Sequence, residues 1–152
     1  MANDMTVRAT LETGMRFDVV TSSGHHIILD AAEHNGGQNS GPQPMEMLLV
    51  ALASCSAMDI IAILRKKRQD ITGYELRIHG MRSEEHPKVF LDITVEHKFT
   101  GHNIRPEAVE RAIQLTEERY CGASAMLGKT ATIGHTFSII EDRIEPTTTI
   151  PS

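Results

Sequence analysis

Residues 45–64 read MEMLLVALASCSAMDIIAIL, a run whose only charges are Glu46 and Asp59 and whose single thiol is Cys55. The run approaches the length needed to span a bilayer, but Glu46, Ser54, Ser56 and Asp59 make it a poor span. A helix apolar on nearly all sides is better explained as one buried within a domain or a dimer, so no membrane span is expected. Pro44 suits the first helical turn, and the basic cluster Arg65-Lys66-Lys67-Arg68 complements the dipole at the far end. The spacing therefore predicts a helix over 44–68.

Working outward, the N-terminal side reads as β structure. Thr6–Glu12, Met15–Thr21 and His25–Asp30 are short runs separated by the turn signals Thr13-Gly14 and Ser22-Ser23-Gly24. A polar, Gly/Pro/Asn-rich loop follows over Ala32–Pro44, long enough to border a site or close over one. Beyond the helix, Tyr74–Met81 and Lys88–Thr100 read as strands, with Val89, Leu91, Ile93 and Val95 expected to share a face. A second helix begins at Pro106 and ends near Tyr120, with Val109, Ala112, Ile113 and Leu115 inward. A short helix over Ser124–Lys129, a last strand over Thr132–Glu141 and a mobile tail over 142–152 complete the reading. The order β-β-β-α-β-β-α-α-β is an α+β pattern, with antiparallel sheets expected.

A chain of 152 residues fits one domain, 1–152, able to bury roughly 68–70% of its extended surface. The net charge of −5 argues against nucleic-acid and acidic-membrane partners. With no Trp, the core must rely on aliphatic and Met side chains. The polar N-terminus lacks a signal sequence, and two cysteines without a disulfide-rich pattern fit a reducing compartment, so a cytoplasmic location is expected.

Cys55 lies on the apolar helix and Cys121 in the polar stretch ERYCGASAML. An isolated buried cysteine is ordinarily an inert small hydrophobe. Two such cysteines, the second placed where a helix N-terminus can favour its thiolate, point instead to a thiol pair assembled by the fold. Asp59, one turn beyond Cys55, disfavours a neighbouring thiolate and is not its activator; a cation from elsewhere is needed.

Two segments resemble the OsmC-like family, which includes osmotically inducible and organic-hydroperoxide-resistance proteins. Gly41-Pro42-Gln43-Pro44-Met45-Glu46, continuing through Leu52-Ala53-Ser54-Cys55-Ser56 to Asp59, resembles its signature helix. Glu118-Arg119-Tyr120-Cys121 followed by Ala125-Met126-Leu127 resembles its second-cysteine motif. The resemblance implies an intertwined α+β homodimer with a long buried central helix and active sites formed between subunits. It implies a thiol peroxidase in which Cys55 attacks an organic hydroperoxide and Cys121 resolves the resulting sulfenic acid to a disulfide. It further implies an external dithiol reductant of lipoyl type, with no bound cofactor, and a supporting arginine–glutamate pair. Arg16 is the candidate arginine, with Arg8 in reserve, and Glu46 the candidate glutamate. Glu46 precedes Cys55 by nine residues, about 180° around the helix and roughly 13 Å along it. The family's peroxidases carry the glutamate ten residues before the cysteine, where this chain has Met45. Glu46 thus either holds an arginine from another element or serves the helix N-terminus.

The eight histidines show no HxH or HExxH spacing and the cysteines no CxxC, so no metal site is expected and the histidines read as ordinary. The leading functional reading is reduction of hydrophobic organic hydroperoxides. Two others stay open: a non-enzymatic dimer that binds a small molecule or acyl chain, and a thiol redox sensor.

Overall fold

The computed structural model describes residues 3–143, and the chain divides into two compact units, Met1–Val50 and Ala51–Ser152. In the first, β1 (Val7–Thr13), β2 (Arg16–Thr21) and β3 (His26–Leu29) form an antiparallel sheet. Its first turn is Gly14-Met15, and Gly14 adopts φ +56°, a region glycine enters without steric cost. The register sets Leu11 opposite Phe17 and Phe17 opposite Leu29, and likewise Ala9, Val19 and Ile27 in a row. With a side-chain period of two, these residues make one apolar face. Within this unit the face stays open: every residue of β1 is exposed, and Ala9, Phe17, Val19, Leu29 and Pro44 line a groove of about 260 Å³.

The polar loop after β3 winds around Asp30, which is buried. Its carboxylate accepts bonds from the backbone N–H of Ala31, Gln38 and Ser40 and from the Ser40 hydroxyl at 2.6 Å. These donors, the Ser40 hydroxyl first, hold its pKa down to about 2.

Helix α1 spans Pro44–Lys66. Pro44 occupies its first turn as expected, and the Glu46 carboxylate accepts the Gln43 N–H at 2.8 Å, satisfying a donor that the helix itself leaves open. At the other end Gln69 N–H bonds Leu64 O and Arg68 N–H bonds Arg65 O, with Arg68 left-handed at φ 56°. This paired termination ends the helix two residues before the expected 68.

In the second unit β4 (Asp70–Arg82) pairs antiparallel with β5 (Phe90–His102), and β6 (Thr132–Glu141) pairs with β5 in parallel. The expectation of antiparallel sheets therefore fails at this one pairing. Helices α2 (Pro106–Leu115) and α3 (Gly122–Leu127) lie in the β5–β6 connection, and a crossover of that length returns the chain in the same direction.

The expected alternation of Val89, Leu91, Ile93 and Val95 is also corrected. Arg82 pairs with Phe90 and Met81 with Asp92, so Leu91 is the extra residue of a β-bulge. The bulge shifts the phase: Phe90 is buried, Leu91 is 46% exposed, and the inward series is Phe90, Ile93, Val95, His97, Phe99. Ile60 and Leu64 from α1, Phe99 from β5, and Ile104, Val109 and Ile113 around α2 then close one core. Past β6, Asp142 is tied down rather than mobile, its carboxylate accepting the Thr72 hydroxyl and its N–H bonding Gly101 O. The rest of the expected mobile tail, 144–152, lies outside the described residues.

Candidate functional site

Leu52, Ser56, Ile60 and Leu64 form the i, i+4 stripe of α1 that is fully buried, and Cys55 stands one position to its side. Cys55 and Asp59, themselves four apart, share a half-buried face. Cys121 reaches them through an unusual connection. After α2 the backbone widens to a π-turn over Thr116–Tyr120, closed by Cys121 N–H donating to Thr116 O at 2.8 Å. Cys121 then caps α3, its Sγ accepting the Ser124 N–H at 3.3 Å and lying 3.4 Å from the Ser56 hydroxyl. The result is a cluster in which Cys55 Sγ, Cys121 Sγ and an Asp59 carboxylate oxygen all lie within 4.8 Å of one another. Both cysteines are free thiols.

The electrostatics of Cys121 differ from the sequence expectation of a stabilised thiolate. Burial is the dominant effect and pushes its pKa up; the bonds from Ser56 and Ser124 oppose this, and the nearby Cys55 adds to it. Cys121 is 2% exposed whereas Cys55 is half-buried, so the two thiols are unequal in access.

The two supporting residues named from the sequence hold local partners. Arg16 Nε donates to Glu12 Oε2 at 2.8 Å across the first hairpin, and Glu46 serves the helix N-terminus as described. Ser56 and Asp59 are the site residues that sequence reasoning did not select. The signal for Asp59 was its i, i+4 spacing from Cys55, read only as a charge effect. Ser56 was noticed only as a neighbour of Cys55; its role as a partner of Cys121 appears once the fold sets the two 3.4 Å apart.

Asp59 also lines a groove of about 380 Å³ together with Ala62, Ile63, Leu115, Tyr120, Lys66 and Lys67. Two members of the basic cluster thus flank an apolar channel beside the thiols. Elsewhere in the unit, Tyr74 Oη lies 2.7 Å from His97 Nδ1, and His97 Nε2 lies 3.0 Å from His135 Nδ1. Burial, with a smaller contribution from His135, lowers the His97 pKa to about 4 and keeps the ring neutral. These are core histidines with partners, as expected, except that His135 Nε2 is buried without a hydrogen bond among the described residues.

Comparison with known proteins places this geometry. The OsmC-like protein family model matches residues 37–136, a span that holds α1, Cys55, Asp59 and Cys121. The Escherichia coli K12 protein YhfA is 37% identical over 136 residues, covering 90% of this chain and 98% of its own. A crystal structure of an Aquifex aeolicus protein matches with a TM-score of 0.82 at 29% identity, over 93% of this chain and all of that one. An organic hydroperoxide resistance protein from Legionella pneumophila has the same fold, with a TM-score of 0.70 at 15% identity over 91% and 98% of the two chains. This chain belongs to the OsmC-like family, whose members include organic hydroperoxide resistance proteins.

Proposed function

We propose that this protein is a cytoplasmic, homodimeric thiol peroxidase that reduces hydrophobic organic hydroperoxides through Cys55 and Cys121. The observation that carries the reading is the approach of the two free sulfurs to within 4.8 Å, one accessible and one buried. A rotation about each side-chain bond is the scale of movement that would bring them to the ~2.05 Å of a disulfide.

The Cys55 thiolate attacks the distal peroxide oxygen; the O–O bond breaks, the departing alkoxide takes a proton and leaves as alcohol, and Cys55 becomes a sulfenic acid. The Cys121 sulfur then attacks the Cys55 sulfur and displaces hydroxide, which leaves as water with the Cys121 proton, forming the disulfide. An external dithiol of lipoyl type restores both thiols by exchange. Burial that keeps Cys121 protonated suits a resolving thiol, because it does not compete for the peroxide. The groove lined in part by Ala62, Ile63 and Leu115 supports an alkyl-bearing substrate over hydrogen peroxide.

In this reading Arg16 and Glu46 stay the candidate supporting pair, although within the chain each holds a local partner, Glu12 and the Gln43 N–H. The open apolar face of the first sheet and the exposed Leu48 and Met58 on α1 support a second copy as the covering partner. The test is steady-state turnover of cumene hydroperoxide with reduced lipoamide. Cys55→Ser should abolish it, Cys121→Ser should leave one stoichiometric round, and Arg16→Gln should slow thiol oxidation. Multiple turnover by the Cys55 variant would exclude the mechanism.

The same groove, with Lys66 and Lys67 among its lining residues, also favours the alternative of a dimer that binds an acyl chain with an anionic end. That alternative requires acyl binding to survive loss of either thiol.

A further inference from the structure

We propose that the reduced Cys55–Asp59–Cys121 cluster is also a binding site for a thiophilic divalent cation of the Zn²⁺ type. The inference rests on the geometry of the three donor atoms and not on the peroxidase reading. The expectation of no metal site came from the lack of local spacing motifs; here the donors meet only through the fold.

Three arguments support it. The first is distance. Tetrahedral Zn²⁺ with bonds of about 2.3 Å to sulfur and about 2.1 Å to oxygen sets neighbouring donors roughly 3.5–3.8 Å apart. The three donors are already within 4.8 Å, so no edge needs to shorten by more than about 1.3 Å. The second is pre-organisation. Cys55 and Asp59 project from one face of a continuous helix, and Cys121 Sγ is fixed by Ser124 N–H and the Ser56 hydroxyl. Hydrogen bonds to ligand atoms are the supports that orient them in established metal sites.

The third is donor type. Two thiolates select soft or borderline ions over Mg²⁺ and Ca²⁺, and one carboxylate brings the set to the three protein ligands that leave a fourth position open. Cys55 and Asp59 are half-buried and Asp59 edges the 380 Å³ groove, so that position faces solvent.

The site is gated by redox state, because a disulfide offers no thiolate. A hydroperoxide meeting the loaded site, with two protons, yields the disulfide, one alcohol, one water and the free cation. The sulfur pair loses two electrons and the O–O bond gains them. Metal and peroxide are therefore competitors for the same sulfurs.

The test uses the full chain, fully reduced and metal-free, under anaerobic conditions. Zn²⁺ is titrated calorimetrically, and Co²⁺ is titrated while following thiolate-to-metal charge-transfer absorption. The expected result is one ion per chain with thiolate bands. Cys55→Ser and Cys121→Ser should each weaken binding at least 100-fold, and Asp59→Asn about 10-fold, with circular dichroism unchanged. Wild-type protein oxidised to the disulfide should fail to bind, which tests the site without any substitution. Absence of stoichiometric binding, or binding unchanged in the Cys55 and Asp59 variants, would overturn the proposal. Rapid thiol oxidation by cumene hydroperoxide without Zn²⁺ binding would overturn it while leaving the peroxidase reading standing; Zn²⁺ binding without rapid oxidation would do the reverse.

Discussion

The two three-stranded sheets of this chain both carry apolar faces and meet opposite outcomes. In the second, β5 buries Phe90, Ile93, Val95, His97 and Phe99, and Phe99 shares one core with residues of α1 and α2. In the first, Val7 is 65% exposed and Leu11 56%, on a face that also carries Phe17 and Val19. Alternating strands need a covering layer, and only one sheet finds it within its own unit. The lesson is that the second unit closes a core within itself, whereas the first leaves an apolar face exposed, which the proposed homodimer would cover.

The comparison can be broken by substitutions on the two faces. Phe99→Ala should cost about 3–5 kcal/mol in urea unfolding, because Phe99 is fully buried in the main core. Leu11→Ala, measured at concentrations where the protein is monomeric, should cost less than about 1 kcal/mol. Similar costs at both positions would mean that the first sheet is as closed as the second.

A second prediction sharpens what closure does to titratable groups. His97 is depressed from 6.5 to about 4 in the fold, so between those values the unfolded chain binds a proton that the folded chain does not. Stability is therefore full above about pH 6.5 and falls as the pH drops toward 4, by up to about 3 kcal/mol. His135 shifts in the same direction. Urea unfolding at pH 7.5 and pH 5 should show the loss, and His97→Gln should flatten it. A wild-type stability that rises on acidification over that range would contradict the burial argument. The last prediction concerns association: Leu11→Asp should weaken self-association by at least about 10-fold in sedimentation, with the unfolding slope unchanged. An unaffected equilibrium would remove β1 from the proposed interface.

Much of this was legible in the sequence. The α+β order, the span of α1 from Pro44 and the pairing of a helical thiol with Cys121 all followed from local pattern or resemblance. The parallel β6 was not legible, because strand direction depends on how the α2–α3 connection crosses over. Leu91 was assigned to the wrong face because a bulge leaves no mark in the alternation of Val89 to Val95. At the site, Cys55 stood out by contrast with its surroundings. Asp59 was read as a charge to be avoided, since nothing in the sequence set Cys121 on the same face. Ser56 stood out only as a neighbour of Cys55, because its partner, the Cys121 sulfur 3.4 Å away, comes from a distant part of the chain.

The central claim is that the sulfurs of Cys55 and Cys121 act together on a peroxide. Its most direct test is rapid mixing of reduced, metal-free protein with cumene hydroperoxide, following free thiols against time and repeating with hydrogen peroxide. The account predicts rapid, stoichiometric loss of two thiols per chain as an intramolecular disulfide, much faster with the organic peroxide. Loss no faster than that of free cysteine would contradict it and leave the ligand-binding alternative in its place.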